Sequence, residues 1–140
     1  MMTISVRVYG LLINEQKQVL VSDEYIRGSY YTKFPGGGLE VGEGTRECLR
    51  REFMEELNLQ VEVLDHIYTT DFYQPSAFNN AHQILSIYYY VKALEPITAP
   101  LRDKPFDFDE VQVNWEDFSS ETVTLPIDKL VADLIKKSGK

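Results

Sequence analysis

Cysteine is nearly missing from this chain: Cys48 stands alone among 140 residues, so no intramolecular disulfide can form. Small domains of oxidising compartments are usually stapled by such bridges, and one thiol suits a reducing cytoplasm instead. Basic residues are short as well, 14 Lys and Arg against 22 Asp and Glu, which leaves a net charge of −8. Such a chain is repelled by a phosphate backbone at long range, which argues against nucleic acid as a partner. No apolar run approaches the roughly 20 residues that cross a bilayer, and the opening MMTISVRVYG lacks the basic region and apolar core of a secretory leader. The expectation is a cytoplasmic protein with no membrane partner. Repeats, low-complexity tracts and signs of a second domain are missing too. One domain over residues 1–140 is expected, with 44% hydrophobic and 26% charged residues, as in ordinary globular chains that bury a core. The sequence leaves a homodimer open.

What is present is concentrated between Gly36 and Leu59, GGGLEVGEGTRECLRREFMEELNL. The glycine run cannot hold an ordinary element, because glycine tolerates backbone angles closed to other residues. A helix is expected from Thr45 to Leu57, with Thr45 as N-cap, Glu47 in the positive first turn and Asn58 as a left-handed stop. On it Glu52, Glu55 and Glu56 fall at i, i+3 and i+4 and share a face beside an apolar stripe of Leu49, Phe53 and Leu57. Two carboxylates about 5–6 Å apart repel by roughly 3 kcal/mol at an effective dielectric near 20. The helix gains nothing structural from that, whereas a hard cation such as Mg²⁺ or Mn²⁺ would cancel the repulsion with oxygen ligands. Cys48, one turn before Glu52, reads as a small packing residue.

Gly37, five residues, Glu43, seven residues, then Arg51-Glu52-Phe53-Met54-Glu55-Glu56-Leu57-Asn58-Leu59 resembles the Nudix box of the Nudix hydrolase family. The departure is Asn58, where the family usually has glycine; asparagine also enters the left-handed region readily. The resemblance implies an α+β fold, an α/β/α sandwich whose mixed β-sheet is flanked by helices, with the box as a loop-helix-loop against the sheet. It implies that Glu52, Glu55 and Glu56 hold the metal, that Arg51 orients one of them and that Glu43 pairs with Arg51. The Gly36 carbonyl, bare of neighbouring side chains, can supply a further ligand. The general base is not fixed by the box: it is a box glutamate or a later carboxylate, here Asp107, Asp109 or Glu110.

Outside the box, Thr3 to Ile13 and Gln18 to Ser22 read as strands around a polar turn, and Asp23 to Phe34 as a loop carrying Arg27, Tyr30, Tyr31 and Lys33. Arg27 and Tyr31 suit a phosphate contact and base stacking, and equally a plain surface loop. Gln60 to Tyr73 reads as one or two strands and Gln74 to Ala81 as a turn. His82 to Leu94 reads as a strand covered on both faces, and Glu95 to Phe108 as a loop. A last strand from Glu110 to Asn114 and an amphipathic helix from Pro126 to Lys137 close the chain. His66 and His82 read as structural.

These expectations add up to Mg²⁺- or Mn²⁺-dependent hydrolysis of a pyrophosphate bond in a nucleoside diphosphate linked to a group X. Family members acting on ADP-ribose often carry a proline some fifteen residues beyond the box, where this chain has Pro75. Phe72 and Tyr73 beside it offer stacking faces. That leans to a nucleoside-diphosphate sugar such as ADP-ribose. A (d)NTP pyrophosphohydrolase of the pool-cleaning kind and a sensor domain without turnover are the rivals.

Overall fold

The computed structural model describes residues 3–26, 28–76, 81–97, 112–117, 119, 121 and 123–137. Its strands are β1 (Thr3–Leu11), β2 (Gln18–Ile26), β3 (Ser29–Lys33), β4 (Gly36–Gly38), β5 (Val61–Thr69), β6 (His82–Ala93) and β7 (Gln112–Asp117). Helix α1 (Thr45–Leu57) lies between β4 and β5, and α2 (Pro126–Lys137) follows β7. Four strands form a mixed sheet in the order β4-β1-β6-β5, with β1 parallel to β6 and the other pairs antiparallel. The order β3-β2-β7 makes a second, antiparallel sheet. A mixed sheet flanked by helices is thus the architecture, as expected, with the strands divided between two sheets. Among the described residues no helix is long and apolar enough to cross a membrane.

Alternation along the strands explains the two cores. Val8 of β1 and Tyr89 and Val91 of β6 pack with Leu49, Phe53 and Leu57 of α1 on one face of the mixed sheet. Tyr9, Leu11 and Tyr88 point the other way and meet Val19 and Val21 of β2 and Ile127, Val131 and Ile135 of α2. Strand β6 is therefore covered on both faces, as its near-continuous apolar run predicts. Phe53 lies against Gly10, where a Cβ would come within 2.8 Å of the ring. Fully burying a phenylalanine or leucine this way contributes about 1.5–3 kcal/mol.

The stop of α1 is the expected one: Asn58 is left-handed at φ 48, and its N–H returns to the Met54 carbonyl at 3.0 Å. The start differs. Gly44, not Thr45, is the N-cap, and its N–H donates to Glu47 Oε1 at 3.1 Å, half of a capping box. Thr45 instead shares a 2.6 Å hydrogen bond with the Tyr89 hydroxyl. Asp23 to Phe34 is not a loop. Strand β2 runs on to Ile26, turns at Gly28 with φ 88, and returns as β3. Its polar side chains had suggested a surface segment, but several of them face inward. Strand β5 ends at Thr69, short of Tyr73, and β7 extends past Asn114 to Asp117; the expected start at Glu110 lies outside the described residues.

Candidate functional site

Arg51 sits at the centre of the acidic face of α1. Its Nε donates to Glu43 Oε2 at 3.0 Å and its Nη2 to Glu43 Oε1 at 2.7 Å. Nη1 donates to Glu52 Oε1 and to Glu55 Oε2, each at 2.9 Å, and Nη2 also reaches the Gly38 carbonyl at 3.0 Å. One planar guanidinium thus serves three carboxylates and a backbone oxygen, which the point charge of a lysine cannot do. The Arg51 hydrogen bonds hold the Glu43 carboxyl down at about 2. Glu43 in turn is the main reason that the Arg51 guanidinium is held above its ordinary range. Cys48 is buried beside this network with Sγ donating to the Gly38 carbonyl at 3.5 Å, and burial pushes its thiol up to about 12.

The glycines seat these groups. The Glu52 carboxylate lies over Gly37, where a Cβ would meet its Cδ at 2.4 Å and both oxygens at 2.5 Å. Gly36 has φ +150, and a Cβ there would stand 2.0 Å from the Val8 carbonyl oxygen. In the register of β1 with β4, Val8 opposes Gly37. The hydrogen bonds on either side, Gly10 N–H to Pro35 and Leu39 N–H to Val6, make that a bonded pair and turn the Gly36 and Gly38 carbonyls to the outer edge of the sheet.

Glu56 faces away from Arg51. Its Oε2 is buried and, among the described residues, has no hydrogen-bond partner. Burial pushes its carboxyl up to about 7, with Glu24 and Glu52 adding to the rise and Lys33 and Arg7 opposing it. Of these neighbours Glu24, Lys33 and Arg7 belong to the wall of a cavity of about 320 Å³, together with Tyr9, Tyr31 and Asp128. Asp128 is fully buried, accepts from the Tyr88 hydroxyl, and receives the Phe34 N–H at 3.4 Å. It thereby ties the first turn of α2 to β6 and to the chain just before the glycines.

Of the residues singled out in the sequence, the structure gathers Glu43, Arg51, Glu52 and Glu55 into one network and leaves Glu56 outside it, under the influence of Lys33, Glu24 and Arg7. Tyr31 and Pro75 are in the cavity wall, as is His82, which had read as structural. Phe72 and Tyr73 stand exposed, outside that wall. His66 is exposed and shares a 2.7 Å hydrogen bond with Thr69. Arg27, Asp107, Asp109 and Glu110 lie outside the described residues. Among the described residues no three His, Cys, Asp or Glu side chains converge as they stand into a metal-holding group, since Arg51 engages Glu52 and Glu55 while Glu56 turns from it. The sequence reading missed Arg7, Glu24 and Asp128. Their signal was a charge set inside an otherwise apolar or alternating pattern.

A glycine edge thus lies beside a carboxylate-bearing helix, with a small cavity behind it. The chain matches the NUDIX domain over residues 3–134 and belongs to the Nudix family of pyrophosphohydrolases. Members of that family act on small nucleotides, generally with a divalent metal. Solved structures share the fold. A Nudix hydrolase from Nitrosomonas europaea is 16% identical with a TM-score of 0.76 over 97% of this chain and 90% of that one. A MutT protein from Methanosarcina mazei Go1 is 16% identical with a TM-score of 0.75 over 99% and 97%. An ADP-ribose pyrophosphatase from Streptococcus suis 89-1591 is 18% identical with a TM-score of 0.61 over 94% and 87%. Identities this low speak for the fold alone. No curated protein matches the sequence significantly.

Proposed function

We propose that this protein hydrolyses the pyrophosphate bond of a nucleoside diphosphate linked to X, using Mg²⁺ or Mn²⁺ held by Glu52, Glu55, Glu56 and the Gly36 carbonyl. The observation that carries the reading is the buried Oε2 of Glu56, unpartnered among the described residues, on the same helix as the Arg51 network. An ionised oxygen in that position costs several kcal/mol unless something positive meets it, and the all-oxygen donor set suits a hard cation. When bound, such an ion neutralises the phosphate oxygens and lowers the pKa of an attacking water. The chain's own part is to hold the donors. Arg51 orients Glu52 and Glu55 through Nη1, Glu43 fixes Arg51 by a two-point grip, and Gly37 leaves room for the Glu52 carboxylate. The general base is a box glutamate or one of Asp107, Asp109 and Glu110.

The substrate proposed is a nucleoside-diphosphate sugar such as ADP-ribose. Pro75 in the cavity wall supports this choice. A cavity of about 320 Å³ is at the small end for ligand sites, which suits one half of such a molecule. The test compares kcat/KM for ADP-ribose with those for the four dNTPs and oxidised dGTP. ADP-ribose is expected to lead, and a tenfold advantage for any triphosphate, about 1.4 kcal/mol of discrimination, would overturn the choice in favour of pool cleaning. No turnover of any of them would favour the sensor reading. Excess EDTA is expected to abolish hydrolysis, and added Mg²⁺ or Mn²⁺ to restore it; full turnover after chelation and dialysis would end the metal mechanism.

A further inference from the structure

Arg7 is the cavity cation left with donors to spare. The other charged groups of the wall are already engaged. Lys33, buried, stands 3.6 Å from Glu24, and Asp128 accepts from Tyr88 and Phe34. Arg7 donates from Nε to the Tyr9 hydroxyl at 3.2 Å and lies 6.0 Å from the centre of that ring. Among the described residues its Nη groups have neither a hydrogen bond nor an ion pair; the nearest carboxylates acting on it are Glu52 and Glu24, neither within salt-bridge reach. A guanidinium is a rigid fork of donors matched to a carboxylate or phosphate, so free Nη groups in a cavity wall call for an anionic ligand.

Its position says which part of the ligand. In the register of β1 with β4, Arg7 opposes Gly38, and its Nη1 is 3.5 Å from where a Cβ of Gly38 would be. Neighbouring Gly37 faces the Glu52 carboxylate instead. Successive residues of a strand point to opposite faces. The bare edge of β4 therefore has Arg7 on its cavity face and Glu52 on its α1 face, and a phosphate chain lying over that edge spans both.

We infer that Arg7 grips the phosphate attached to the nucleoside, which places the nucleoside in the cavity, the bond to be cut next to Glu52 and Glu56, and group X outside. This inference rests on the hydrolase reading for the position of the cut, but the grip itself is testable without turnover. Dissociation constants of AMP, GMP, CMP and UMP and of the four parent nucleosides, measured by calorimetry in EDTA, decide it. For the monophosphate that binds best, the phosphate is expected to tighten binding at least tenfold over the nucleoside. Arg7→Met is expected to erase that advantage to within twofold while leaving nucleoside affinity and Mn²⁺ affinity within twofold of the original. Arg7→Lys, which keeps the charge without the fork, should retain part of it and serves if Arg7→Met fails to fold. An undiminished monophosphate advantage in either variant, or no such advantage in the original protein, would overturn the inference. An Arg7-dependent advantage in a protein that turns nothing over with Mg²⁺ would support the grip and count against the hydrolase reading.

Discussion

Glu56→Gln is expected to lower kcat by roughly 10²–10⁴-fold, the range supplied by a positioned acid–base group or a lost charge-stabilising contact. It is also expected to make the metal-free protein more stable at pH 8. The second effect follows from the sign of the shift. The Glu56 carboxyl is pushed up to about 7 by burial, above its ordinary value near 4.3, so the folded state holds the proton more tightly than the unfolded chain. The stability this gives is complete below about pH 4 and is lost as pH rises through 7, a change on the order of 3 kcal/mol. Asp128, pushed up to about 6 by burial, adds a loss of the same sign over a slightly more acidic range. Thermal unfolding in EDTA from pH 4 to 8 should therefore show falling Tm for the original protein and a flatter profile for Glu56→Gln. Mg²⁺ should raise Tm of the original protein at pH 8 and leave the variant unmoved. Wild-type kcat in the variant, or equal Tm profiles, would remove Glu56 from the role given to it.

Gly37→Ala should cost about 10²-fold in kcat while the protein still folds. The added methyl would lie 2.4–2.5 Å from the Glu52 carboxylate, which must swing away and give up its 2.9 Å bond from Arg51. A misplacement of about 1 Å in a catalytic group can account for a loss of that size. Overpacking should take about 1–3 kcal/mol from stability, since a side chain end rather than backbone has to yield. Gly36→Ala is the contrast, because its methyl would meet the Val8 backbone and its φ is +150, so the fold itself suffers. If Gly37 acts through Glu52, the double variant Gly37→Ala/Glu52→Gln should be no slower than Glu52→Gln alone. Additive losses in that cycle would mean that Gly37 acts elsewhere.

The box was legible because its chemistry is local. Helix spacing alone puts Glu52, Glu55 and Glu56 on one side and Leu49, Phe53 and Leu57 on the core side, and Asn58 carries its own left-handed preference. Thr45 was misread as the cap because a hydroxyl at a helix start usually caps, whereas here it is drawn to Tyr89, far along the chain on β6. The segment from Asp23 to Phe34 was misread for a related reason. Period-two reasoning expects polar side chains to face water, but Glu24 and Lys33 line a cavity walled by other strands and by α2. The cavity depends on β1 pairing with β6 and on α2 returning Asp128 beneath Tyr88, and no local pattern announces such partners.

The parallel pairing of β1 with β6 also orders events while the chain is being made. Thr3 meets His82 and Leu11 meets Tyr90, so the first strand synthesised waits until residues 82–90 have been made before that edge is satisfied. Closing so long a loop is entropically unfavourable, and long-range parallel pairing forms slowly. Meanwhile β1 can gather β4 and α1 around it, but its other edge offers unpaired backbone groups to any neighbouring strand. A chain ending before residue 82 is therefore expected to expose that edge to aggregation, and the cavity is complete only once β6 is in place and α2 has brought Asp128 to its wall.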